Sequence, residues 1–200
     1  MKILVVGATG TIGRAIVAAF SSRHEIIQAS RKSTPLKVDL AVPAQIRAMY
    51  AAVRKVDAVV CAAGEAKFAP FASLTDEDFE FSLHSKLMGQ VNLIRYGLDN
   101  VRDGGCFVLT SGILAAEPMA GSGAVSLVNA GLEGFMRAAA LEAPRRIRVN
   151  VVSPPWVTET MKALGMDPKG GLPAATLAQS YVQAVEAGQT GQVFRPTARS

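Results

Sequence analysis

Short, almost wholly apolar runs recur along the chain, separated by longer stretches in which apolar and polar residues alternate at helical spacing. The runs 2–6, 26–30, 36–39, 56–61, 106–110, 147–152 and 192–194 read as strands. Between them, helices are predicted over 14–20, from Pro43 to about Lys55, from a Thr75 cap to about Asn100, over 122–142 and over about 173–187. Strands this apolar suit a parallel sheet buried on both faces, with helices as crossovers. The pattern shows no repeat and no linker. Residues 1–200 are therefore expected to form a single α/β domain, a doubly wound parallel sheet with helices on both faces.

The first strand runs into Gly7, Thr9, Gly10, Thr11, Ile12 and Gly13, and helix-forming residues follow at once. Glycine at such a turn admits a positive φ and lets the backbone come close to a ligand. The helix behind it directs unpaired N–H groups and the positive end of its dipole at an anion. Strand, glycines and helix in that order read as the Rossmann-type turn that holds a dinucleotide pyrophosphate, the alternative being a purely structural turn.

Composition adds limits. Half of the 200 residues are hydrophobic and 18% are charged, enough apolar content for one sizeable core. The net charge is +5, but the basic residues are scattered, and the densest group, Arg145, Arg146 and Arg148, reads as a solvated helix end. No nucleic-acid partner is expected, and a mild positive excess suits a phosphate-rich cofactor. Cys61 and Cys106 each lie in an apolar strand, as buried thiols of a reducing compartment rather than a disulfide. No metal set is evident. Residues 3–20 are interrupted by glycines, threonines and Arg14, which argues against a signal peptide, and no segment is long and apolar enough for a membrane span. A cytoplasmic location is expected.

Four segments together resemble the short-chain dehydrogenase/reductase family over essentially the whole chain. They are the glycine loop 7–13, then Ala62, Ala63 and Gly64 after the fourth strand, Thr110 and Ser111 after the fifth, and the run Arg148–Pro154. The glycine spacing resembles that of the family's divergent or extended branch. The helix 132–142 also matches the family pattern. The resemblance implies a nicotinamide cofactor and a small-molecule substrate. It also implies that Asp39 meets the adenine amino group, and that Pro154, Val157, Thr158 and Thr160 meet the nicotinamide carboxamide. Glu159 stands where the family's threonine is commonest.

The catalytic pattern departs from the family. Its reductases carry a Tyr-x-x-x-Lys pair on the helix after the fifth strand, where the tyrosine passes a proton to the substrate oxygen. Here Val125 and Asn129 take those positions, and no tyrosine or lysine lies between 111 and 161. Two residues partly offset the loss. Ser111 matches the serine that polarises the substrate carbonyl, the alternative being a serine that satisfies a strand end. Lys86 stands where the family has a helix asparagine, so that lysine and asparagine exchange places between 86 and 129. An ammonium there would bind the ribose or a developing oxyanion, the alternative being a surface lysine. With a pKa near 10.4 it would be a poor acid, and slow turnover is expected. His84, about 200° further round the helix, is read as structural.

Cofactor choice follows from charge. The second strand ends in Ser30, Arg31, Lys32 and Ser33 with no acid to hold a ribose 2′-hydroxyl. Arg31 and Ser33 instead suit a 2′-phosphate, so NADP(H) is expected in preference to NAD(H), the alternative being a solvated basic loop. Two function classes remain. One is an NADP(H)-dependent oxidoreductase of small carbonyls or alcohols with a non-standard proton relay through Ser111 and Lys86. The other is a catalytically silent NADP(H)-binding regulator or scaffold. Surplus apolar residues on the two long helices, Leu83, Leu87, Val91, Leu127, Val128 and Leu132, leave surface for a partner to bury, and the family resemblance implies a homodimer or homotetramer.

Overall fold

Leu4 and Val6 pack into one apolar cluster and Ile3 and Val5 into another, because successive side chains of a strand point to opposite faces. The computed structural model, which describes residues 1–197, extends that alternation into two cores on either side of one sheet. Its strands are β1 (Lys2–Val6), β2 (Glu25–Ser30), β3 (Leu36–Lys37), β4 (Val56–Cys61), β5 (Val101–Thr110), β6 (Arg148–Val152) and β7 (Val193–Phe194). All pair in parallel, in the order β3-β2-β1-β4-β5-β6-β7.

Helices α1 (Thr11–Phe20) and α7 (Ala174–Glu186) cover one face, burying Ile16, Phe20, Leu177 and Tyr181. Helices α2 (Pro43–Val53), α4 (Gly89–Gly97) and α5 (Gly123–Glu142) cover the other with Ile46, Met49, Leu93, Leu132 and Met136. The expected doubly wound α/β architecture is what the chain adopts. Strand order reverses beside β1, where β2 and β4 flank it, and Val6 pairs with both Ala29 and Cys61. That reversal opens a crevice at the carboxyl ends of these strands, the position where such sheets take ligands.

Several elements differ from the sequence expectation. The helix expected from Thr75 to about Asn100 is broken into α3 (Asp76–Ser82), a wide π-helical turn over Leu83–Met88, α4 and a final 3-10 turn. In the wide turn the Gly89 N–H reaches back to the His84 carbonyl, one residue beyond the usual helical partner. Periodicity does not reveal such an insertion, since it shifts the buried face by only one position. The fifth strand begins at Val101, not Cys106, because Gly104, at φ +73°, carries the chain through an irregular register between Val56 and Ala58. A short helix, α6 (Thr158–Ala163), follows the Pro154–Pro155 stop. Among the described residues no helix is long and apolar enough to cross a membrane. Cys61 and Cys106 are buried and unbonded to each other.

Candidate functional site

The glycine turn is built by contact as well as by conformation. Gly7 has φ +84°, and a β-carbon there would stand 2.6 Å from the Ala62 carbonyl oxygen. A β-carbon on Gly13 would lie 1.9 Å from the Gly7 carbonyl oxygen, so α1 can seat against the loop only if residue 13 has no side chain. Gly10 caps α1 without a side-chain hydrogen bond, and the first bond inside the helix runs from the Arg14 N–H to the Gly10 carbonyl. The amides of Thr11, Ile12 and Gly13 precede that bond and carry the helix's positive end. No α1 residue of the first turn is acidic. An anion is the ligand this arrangement favours.

A cleft of about 390 Å³ opens beside the turn. Gly7, Thr9, Gly10, Arg31, Ser33, Asp39, Ala62, Ala63 and Gly64 all line it, so the structure gathers these sequence-selected residues in one place. Its rim after β2 is internally braced. The Ser30 hydroxyl accepts the Ser33 N–H at 3.2 Å, and the Thr34 hydroxyl donates to the Leu36 carbonyl at 2.7 Å. Asp39 takes the Ala41 N–H on Oδ1 at 3.0 Å, which turns the chain toward α2. Glu65 and Ser85, polar residues that the sequence does not single out, also line it. The Ser85 hydroxyl accepts the Glu65 N–H at 3.1 Å, and the Glu65 carboxylate forms an ion pair with Arg31 across the cleft. Glu65 directly follows Gly64, in the loop after β4.

Lys86, Ser111, Pro154, Val157, Thr158 and Thr160 do not line this cleft. Ser111 and Pro154 follow β5 and β6, whose ends are joined by the Ser111 N–H to the Val152 carbonyl and the Ile113 N–H to the Pro154 carbonyl. Lys86, in the wide turn, donates from Nζ to the Ser111 carbonyl oxygen at 3.3 Å. Burial lowers its pKa from 10.5 to about 8, with an opposing pull from the Cys61 sulfur. This corrects the expectation of an ordinary, weakly acidic lysine. The cause is desolvation, which penalises the charged form.

The Ser111 hydroxyl donates to Glu133 on α5 at 3.1 Å. Glu133 is buried, and its other oxygen holds Arg195 at 2.6 Å and Arg137 at 3.6 Å. Ser111 has one hydroxyl proton, so polarising a substrate oxygen requires it to turn away from a carboxylate that retains two arginines. Asn129 is buried with its Oδ1 unpartnered among the described residues. A β-carbon at Gly112 would point at its side-chain nitrogen from 2.9 Å. Glu159 is committed elsewhere, its carboxylate accepting the Ala174 N–H at 3.0 Å and so capping α7. Val157 is buried and the Thr158 N–H bonds the Leu172 carbonyl. His84 is exposed and bonded through Nδ1 to the Glu80 carbonyl of its own helix.

Residues 8–193 match the family model described as enoyl-(acyl carrier protein) reductase. Among characterised sequences, hydroxynaphthalene reductase arp2 of Aspergillus fumigatus is 30% identical over 149 residues, which cover 70% of this chain and 55% of that protein. The 3-oxoacyl-[acyl-carrier-protein] reductase of Mus musculus is 26% identical over 178 residues, covering 78% and 75%. The chain thus spans about half the length of the fungal relatives it matches. Among solved structures, the protein lin1944 from Listeria innocua is 38% identical with 98% of both chains covered and a TM-score of 0.94. A small-chain dehydrogenase solved in complex with NADPH shares the fold at 21% identity, with 98% of this chain and 96% of that one covered and a TM-score of 0.84.

Proposed function

Because this chain belongs to the short-chain dehydrogenase/reductase family of oxidoreductases, whose members bind a nicotinamide cofactor, we propose that it binds NADP(H) and acts on a small carbonyl or alcohol. The observation that carries the reading is the cradle at Gly7 and Gly13, which any β-carbon would fill, opening into a cleft that Arg31 borders. The turn would hold the pyrophosphate. Asp39 would meet the adenine and Arg31, with Ser33, the ribose 2′-phosphate. Pro154, Val157, Thr158 and Thr160 would border the nicotinamide end.

The cofactor, when bound, supplies or takes the hydride. The chain must then supply the proton without the family's tyrosine. Lys86 is the group suited to it, since the Ser111 carbonyl fixes its ammonium and a pKa of about 8 makes it a usable acid near neutrality. Its charge also favours an oxyanion developing nearby. The Ser111 hydroxyl would serve as a second donor after turning from Glu133. The silent-binder reading draws on one observation of its own: Val125 and the unpartnered Asn129 replace the family's pair.

Titrating NADPH and NADH into wild type and Arg31→Ala tests the cofactor reading, with NADPH expected tighter by about 1–3 kcal/mol through a charge-assisted contact. Equal affinities in wild type would sink the preference. A carbonyl screen with NADPH separates the two classes, since the silent binder consumes none.

A further inference from the structure

The end of β2 carries no acid, yet the tertiary structure brings one to the same rim. Glu65 follows β4 on one side of β1, Arg31 follows β2 on the other, and both line the cleft. Arg31 Nη1 donates to Glu65 Oε2 at 3.5 Å, while Nη2 pairs closely with Oε1. The backbone of Glu65 is pinned by its N–H to the buried Ser85 hydroxyl at 3.1 Å, so its side chain extends from an anchored point on the cleft rim. Both charged side chains are about half exposed, at 53% and 52%, so water weakens the pair and a ligand can open it.

The two ribose substituents meet this pair differently. A 2′-phosphate needs the guanidinium that Glu65 already holds, and it brings negative charge up to the carboxylate. A 2′-hydroxyl can donate to the carboxylate and leave the ion pair intact. We propose that Glu65 is a cofactor-specificity residue, which draws the site toward the 2′-hydroxyl form and so narrows the preference that Arg31 creates. This assignment rests on the dinucleotide reading of the cleft. It makes the site a balance between one cation and one anion, contributed by different strands.

Calorimetric titration with adenosine 2′,5′-bisphosphate and adenosine 5′-monophosphate reads that balance without turnover. Glu65→Gln is expected to tighten the bisphosphate about three- to tenfold and to leave the monophosphate unchanged or weaker. Arg31→Ala should weaken the bisphosphate selectively. Thermal melting of each variant establishes that the comparison is between folded proteins, and at these exposed positions melting should match wild type. If Glu65→Gln changes both nucleotides equally, or neither, the assignment of Glu65 is overturned while nucleotide binding stands. If wild type binds neither nucleotide, the dinucleotide reading fails and the role of Glu65 fails with it.

Discussion

The Lys86 ammonium donates to the Ser111 carbonyl oxygen at 3.3 Å, joining a helix on one side of the crevice to the end of β5. The contact uses the backbone of Ser111 and leaves its hydroxyl to Glu133. Substitution at 111 should therefore not displace Lys86, and the two residues can be tested separately.

Lys86→Met should stabilise the protein below pH 8. The folded-state pKa of about 8 lies below the ordinary 10.5. Below 8 both states hold the proton, and the folded protein bears the cost of a partly desolvated charge. Between about 8 and 10.5 the unfolded chain retains a proton that the folded one has released, so this group's contribution rises with pH. The variant should melt about 2–4 °C above wild type at pH 7 for each kcal/mol recovered, and the gap should close toward pH 10.5. A gap that is constant across that range would show that the ammonium is solvated. The same variant should lose turnover if Lys86 supplies the proton.

Gly13→Ala should remove nucleotide binding and destabilise the fold by about 1–3 kcal/mol. The obstacle is the Gly7 carbonyl, a backbone atom 1.9 Å from the new carbon, so no side-chain rotation relieves it. Denaturant unfolding together with nucleotide titration checks both effects.

Ser111→Ala should cost about 1.5–3 kcal/mol of stability, since it removes a buried hydrogen bond to a charged acceptor. Glu133 keeps Arg195 and Arg137, which places the expected loss at the lower end of that range. NADPH affinity should be unchanged. A fall in turnover beyond the loss of folded protein would assign the hydroxyl to the substrate oxygen.

Members of this family are generally oligomeric, and a homodimer, or a tetramer built from it, is expected here. Of the apolar residues that suggested it, Val91, Val128 and Leu132 are buried within the protomer, whereas Leu127 on α5 is 48% exposed. Leu127→Glu should lower the assembly state measured by light scattering at micromolar concentration. A monomeric wild type would remove the idea.

The first strand, the glycine turn and the apolar strands were all legible along the chain. Each is a local property: glycine φ or a run of buried side chains. Gly7, Gly13, Arg31 and Asp39 could be selected because their chemistry depends on a short segment and its place after a strand. What lay beyond reach depended on which segments meet. The π-helical turn that carries Lys86 comes from one residue accommodated within a helix, and hydrophobic period alone does not register it. The lowering of the Lys86 pKa comes from neighbours that enclose it, and the commitment of Ser111 to Glu133 from a helix 22 residues on. The Arg31–Glu65 pair joins positions 34 residues apart, brought together because β2 and β4 both lie against β1. Sequence alone determined the sheet's strands and the glycine turn. Only the tertiary structure decided which charges face one another, because desolvation and ion pairing depend on distances that sequence spacing does not set.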